Sequence, residues 1–164
     1  MASAFDRLLT EAPDRDELLR FYDSLSPVRP NELYGLWHGD DWSTGGRFDG
    51  LLDRTGWYGK LFRSENDVEA LIFSRPTTLL GVINYLMIWP YRVPEARRMV
   101  RHPLGRARLR EVRFRGVVSA AMCYNYLPIM DHFRRVDERR VMGLMDFRGR
   151  RDSELFFWLE RDAH

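Results

Sequence analysis

The chain has 164 residues, is 45% hydrophobic, and carries 26 Lys+Arg against 24 Asp+Glu for a net charge of +2, with a single cysteine. That length and apolar content suffice for one domain with its own core, and one cysteine excludes an internal disulfide framework. The longest apolar run, over 77–90, falls short of the roughly 18 uncharged residues of a membrane-spanning helix and holds Asn84, so no integral membrane segment is expected.

In chain order, residues 5–9 allow a short helical turn, and 14–25 place Leu18, Phe21, Tyr22 and Leu25 at helical spacing behind an acidic first turn. Pro27 and Pro30 close this N-terminal helical segment, 1–30, ahead of the main domain, 31–164. Gly35-Leu36-Trp37-His38-Gly39 then sets a large ring between two glycines. This is the pattern of a tightly packed strand start or corner, where the glycines permit close backbone approach or positive φ. An extended passage is predicted over 33–48 and a short helix over 49–56, closed by Gly56. Ser64-Glu65-Asn66-Asp67 reads as a capping signal ahead of Val68, Leu71 and Ile72, which predicts a second short helix beside the first.

Residues 79–89 are strand-like, whereas 90–105 hold three prolines and predict an excursion or a short helix around 96–100. The last third reads as a β-meander with strands at 110–127, 129–136, 140–147 and 154–161. Turns are expected at 137–139 and 148–152, with a bend at Pro128. Sequential strands at close spacing favour one antiparallel sheet that curls or closes into a barrel, carrying the N-terminal helix and short helical excursions.

The glycine–tryptophan block carries a resemblance. Residues 35–39 match the pattern that names the GXWXG family, and Gly56-Trp57-Tyr58-Gly59-Lys60 is similar to that family's next block, the whole block running over 32–75. Residues 124–137 and Met142-Gly143-Leu144-Met145-Asp146 resemble the C-terminal domain of unknown function that accompanies it, within the meander of 108–161. The resemblance implies a calycin-like barrel, related in shape to lipocalins and fatty-acid-binding proteins. It implies no particular reaction.

Charge is uneven along the chain, with 8 Lys+Arg against 14 Asp+Glu over 1–70 and the basic density concentrated over 97–115. No nucleic-acid motif accompanies that density, so a solvated arginine-rich face is expected and no nucleic-acid partner. Lys60 is the only lysine, a bias that codon usage explains better than selection at a site. The N-terminus lacks a basic stretch followed by an apolar run, which leaves a cytoplasmic location as the expectation.

Within the predicted long strand, Met122, Tyr124 and Tyr126 alternate with Ala121, Cys123 and Asn125, and both faces are mainly apolar or small. Either protein covers both faces or one face lines an apolar cavity. In the next strand Ile129, Asp131, Phe133 and Arg135 oppose Met130, His132, Arg134 and Val136. An inward Asp131 would need a partner or a raised pKa. Asn84, Tyr85, Tyr124 and Tyr126 are candidate partners, and Arg113 is a candidate anchor for a carboxylate. His132 is an acid–base candidate of opposite parity, and Cys123 reads as a small hydrophobe rather than a nucleophile.

No spacing of His, Cys, Asp and Glu matches a metal site, and phosphate-loop, dinucleotide and nucleophile-elbow motifs are missing. No metal or cofactor is therefore expected. The leading expectation is binding of a hydrophobic small molecule, a fatty acid or another lipid-like ligand, in the barrel. Trp37, Asn84, Tyr85, Arg113, Met122, Tyr124, Tyr126, Asp131 and Phe133 would line the site, Trp37 chiefly stabilising the barrel floor. The alternative is a small barrel enzyme of isomerase, cyclase or hydratase type, using Asp131, His132 and Tyr124 as acid–base groups. An interaction module without ligand stays open, as does a homodimer.

Overall fold

The computed structural model describes residues 3–46, 48–74, 91–93, 96–148 and 154–163. Helix α1 (Ala4–Thr10) is opened by a capping box between Ser3 and Asp6, and α2 (Arg15–Ser24) by Asp14, whose carboxylate accepts from the Glu17 N–H at 2.7 Å. A 3₁₀ turn, Pro30–Leu33, leads into β1 (Gly35–Asp41). The short helix α3 (Leu51–Thr55) ends on Gly56 at φ 69° and passes into β2 (Trp57–Ser64) and β3 (Asp67–Phe73). After β4 (Tyr91–Val93) and β5 (Ala96–Arg101) come β6 (Arg106–Phe114), β7 (Val117–Tyr124), β8 (Ile129–Arg135), β9 (Arg140–Phe147) and β10 (Leu155–Arg161).

Eight of these strands close a ring in the order β1-β2-β3-β6-β7-β8-β9-β10, and β10 returns to β1 with Gly39 opposite Leu159. Every pairing is antiparallel, and closure satisfies the strand edges of the ring. Strand β3 divides its partners. Val68 and Glu69 pair with β6, while Ile72 and Phe73 pair with β5, so the β4–β5 hairpin attaches to the wall where β3 leaves β6.

Three sequence expectations are corrected. The Ser64–Asp67 signal is a hairpin turn and not a helix start. The Ser64 hydroxyl accepts from the N–H groups of Asn66 and Asp67, as a cap would, but the following residues alternate against β2. Residues 96–100 are extended in β5 rather than helical. The predicted strand 110–127 is two strands, because Arg115 at φ 50° and Gly116 at φ 79° form the two-residue turn with both central residues left-handed that matches strand twist. The strand predicted over 79–89 lies outside the described residues.

Alternation produces two apolar layers. The interior holds Trp37, Trp57, Phe62, Val68, Leu109, Met122, Phe133, Val141, Phe157 and Leu159. The outer faces of β9 and β10 present Met142, Leu144 and Phe156 to Phe5, Leu8, Leu18 and Tyr22 of the two N-terminal helices. Helical cover on the outside thus explains why so few strands alternate cleanly between apolar and polar.

Candidate functional site

One end of the barrel is sealed from the chain upward. The segment before β1 crosses it: the Val28 N–H donates to Ser119 Oγ at 2.9 Å, the Ala120 N–H to Val28 O at 2.8 Å, and Arg135 pairs with Glu32 at 2.6 Å. Val28 and Leu33 point into the core, and Trp37 Nε1 donates to Leu33 O at 2.6 Å. Arg161, from the end of β10, covers the Trp37 ring at 4.3 Å and donates to the carbonyls of Glu32 and Tyr34. The glycines flanking Trp37 have separate causes. Gly35 adopts φ 124°, where a Cβ would also meet Arg161, and a Cβ at Gly39 would fall 1.9 Å from Trp158 O.

The opposite end is where β2 and β8 begin and β3, β7 and β9 finish. Leu52, Phe73, Tyr124 and Met145 sit there, half-buried against the interior cluster. Below them Lys60 of β2 and Asp131 of β8 meet across the lumen, Nζ to Oδ2 at 2.9 Å, with side chains 4% and 2% exposed. The ammonium lies 5.3 Å from the Trp57 ring centre, 5.7 Å from Tyr124 and 5.0 Å from Phe157. Three π faces and one carboxylate thus surround one cation. Beneath the pair the lumen is packed with rings, Phe133 meeting Phe62 at 5.8 Å and Phe157 at 6.0 Å, both edge to face.

A bulge in β2 delivers Lys60 inward. Pairing with β1 sets Lys60 opposite inward Trp37 and Gly59 opposite His38, but between Trp57 and Gly59 the register with β3 slips. Tyr58 and Gly59 therefore both face outward, and Trp57 and Lys60 both face the lumen. Tyr58 donates to Asp162 at 2.7 Å outside the barrel, and Trp57 Nε1 donates to Ala70 O at 3.0 Å inside it. Gly59 is needed because a Cβ there would meet Trp37 O at 1.9 Å.

Burial pushes the Asp131 carboxyl above its ordinary value, while the charge and hydrogen bond of Lys60 work the other way. Burial likewise holds the Tyr124 phenol well above the usual range, and the Asp131 charge adds to it.

The other sequence candidates fall in different places. Met122 and Phe133 are interior residues, and Trp37 is buried at the sealed end. Tyr126 is 67% exposed and Arg113 is exposed near the β6–β7 turn. Asn84 and Tyr85 lie outside the described residues. His132 is on the outer face, stacked on Phe114 at 3.8 Å, with its Nε2 buried and unpaired. Burial lowers its pKa to about 4, with Asp146 raising it and Arg134 lowering it further. Asp131 and Tyr124 therefore share the lumen and His132 does not. Cys123 is half-buried, its thiol pushed up by burial.

Lys60 escaped the sequence reading, although it is the only lysine in a chain that uses arginine 25 times. That exception was the available signal. Among the described residues no group of His, Cys, Asp and Glu is disposed to hold a metal ion, and no helix is long and apolar enough to cross a membrane.

The fold and its plugged floor define a mainly β protein built on a closed eight-stranded antiparallel barrel of calycin-like shape. Residues 20–77 match the GXWXG family and residues 105–161 the domain of unknown function (DUF4334). A crystal structure of a protein from Thermomonospora curvata is 35% identical, covers 97% of this chain and 96% of its own, and superposes with a TM-score of 0.75. The chain belongs to the GXWXG family, with the DUF4334 block completing its barrel. No curated protein matches the sequence. The first matched block supplies Lys60 and the second supplies Asp131, so the ion pair joins the two.

Proposed function

We propose that the barrel binds an apolar small molecule carrying one neutral polar group, taken in at the end opposite Trp37 and held against Lys60 and Asp131. The observation behind this reading is the buried ion pair, placed across a lumen whose described lining is aromatic and aliphatic. A buried pair is a poor source of stability, because desolvating two charges cancels most of their attraction. Its placement below a half-buried apolar rim suits recognition better than folding.

The pair also argues for the kind of head group. Asp131 already neutralises Lys60, so a ligand carboxylate would place two anions on one ammonium in an apolar setting. A hydroxyl or carbonyl can instead accept from Lys60 without that cost. A fatty acid would bind only as Asp131 takes up a proton, which its raised pKa permits at the acidic end.

The first experiment is native mass spectrometry of freshly purified protein with solvent extraction of any bound molecule. It is followed by displacement of a fluorescent apolar probe with C10 alcohol, methyl ketone and carboxylate at pH 5 and pH 8. The neutral ligands should compete equally at both values and the carboxylate only at pH 5. Equal competition by all three at pH 8 would overturn the head-group argument, and no probe binding at all would overturn the binding reading.

A second reading, acid–base catalysis on such a ligand, is favoured by the same carboxyl held above its ordinary value beside a proton donor. Turnover lost in Asp131→Asn with binding retained would identify it.

A further inference from the structure

We propose that Lys60 captures an apolar aldehyde or ketone as a protonated imine, with Asp131 carrying the proton; this rests on the barrel reading above and names its ligand class. Lys60 is the only side-chain amine in the chain and lies inside the barrel. Its reaction partner must therefore be able to enter an apolar lumen, which selects carbonyl compounds with hydrocarbon bodies.

The geometry supplies each requirement of the step. Asp131 Oδ2, 2.9 Å from Nζ, accepts one proton from the ammonium and leaves a neutral amine with a nucleophilic lone pair. The low-dielectric surroundings lower the cost of exchanging two charges for two neutral groups across that 2.9 Å contact.

The amine nitrogen then bonds to the carbonyl carbon, and a proton passes from nitrogen to oxygen to give the carbinolamine. Asp131 returns its proton to that hydroxyl, the C–O bond breaks, and water leaves. The product is an iminium cation beside an ionised Asp131. One ammonium and one carbonyl have become one iminium and one water, with no net gain or loss of protons or electrons.

The product charge occupies the seat of the starting charge. The iminium keeps the carboxylate as counter-ion and the faces of Trp57, Tyr124 and Phe157 around it, at the 5.0–5.7 Å spacing seen for Nζ. The environment that stabilises the resting ion pair is thus already organised for the covalent adduct. Nothing need be rebuilt except the apolar space for the ligand body towards Leu52, Phe73 and Met145.

Uniqueness of the lysine makes the test direct. The full-length protein is incubated with decanal, and separately with decanol, with and without sodium cyanoborohydride, and the intact mass is recorded before peptide mapping. Decanal with reductant should add once, by the mass of the aldehyde less one oxygen, at Lys60. Decanol should add nothing while displacing the apolar probe. Lys60→Met should lose the adduct, and Asp131→Asn should slow its formation by about a hundredfold, the scale of a removed proton carrier. If Asp131→Asn does not fold, the parent's trapping rate against pH replaces it, a rate independent of pH between 5 and 9 counting against the carboxyl's role.

Modification confined to the N-terminal amine, while decanal and decanol still displace the probe, would overturn the imine and leave the binding reading standing. Failure of both compounds to bind or react would remove the two together.

Discussion

The Arg161 guanidinium lies 4.3 Å from the centre of the Trp37 ring, joining the last strand to the first over the sealed end of the barrel. Trp37→Ala removes a ring that is 1% exposed and is expected to cost about 3–5 kcal/mol. Arg161→Ala uncovers that ring and strands the carbonyls of Glu32 and Tyr34, for about 1–3 kcal/mol. Urea unfolding of both variants measures these losses, and ligand affinity per folded molecule should change little, since the ion pair lies towards the other end.

Removing one member of the buried pair differs from removing both. Lys60→Met leaves Asp131 uncompensated and Asp131→Leu leaves Lys60 so, each expected to cost about 3–5 kcal/mol. The double variant Lys60→Met with Asp131→Leu is expected to recover to within about 1 kcal/mol of the parent, and to lose the preference for polar-headed ligands. A denaturation cycle over the four proteins checks the coupling. A double variant as unstable as the sum of its parts would mean no coupling between the two side chains and would overturn the expected recovery.

His132 makes stability depend on acid. Its pKa falls from 6.5 to about 4 because burial disfavours the imidazolium. Between those values the unfolded chain binds a proton that the folded chain does not. Its contribution is therefore intact above pH 6.5 and lost as pH falls towards 4, by about 3 kcal/mol in all. Asp41, raised to about 6 by burial, with its bond from the Gly50 N–H opposing and Asp40 adding, works in the opposite sense over part of this range. The informative quantity is thus the difference between the parent and His132→Phe, which keeps a ring against Phe114. That difference should shift in favour of the variant as pH drops from 7 to 4, as read from denaturant midpoints.

Gly143 makes room for the Phe157 ring. A Cβ there would sit 2.2–2.6 Å from three atoms of the Phe157 ring, and that ring is one of the faces around Lys60. Gly143→Ala should cost about 1–3 kcal/mol through overpacking and move Phe157 towards the ion pair. Thermal unfolding checks the first effect. Competition between straight-chain and branched ligands checks the second, with the branched compounds losing more.

Much of this arrangement was legible in the residues. The Gly35–Gly39 block announced a tight corner around a buried tryptophan, and parity placed Asp131 with Phe133. Its partner was not legible, because strict alternation from Trp57 puts Lys60 on the opposite face. The register slip that reverses it depends on the pairing with β3, a contact between strands that local pattern does not reveal. The β6–β7 hairpin was hidden for a related reason. Arg115 takes a left-handed conformation that side chains seldom adopt, so only Gly116 marked the turn. At Ser64 the same amide-to-hydroxyl bonds serve a turn or a helix, and sequence spacing does not distinguish them.

The bulge at Tyr58 and Gly59 makes the interior chemistry a matter of counting. One supernumerary residue shifts the phase of β2, so deleting Tyr58 would preserve Trp57, Gly59 and Lys60 by name yet restore plain alternation between them. Trp57 and Lys60, two apart, would still share a face, but Gly59 would carry the whole close approach to Trp37 without the outward step beside it. Inserting one residue after Gly59 would instead send the lysine to water and an empty bend to the lumen. The barrel's single amine is held in its place by arithmetic as much as by affinity, and an insertion after Gly59 should be more damaging than loss of Tyr58 or than most substitutions.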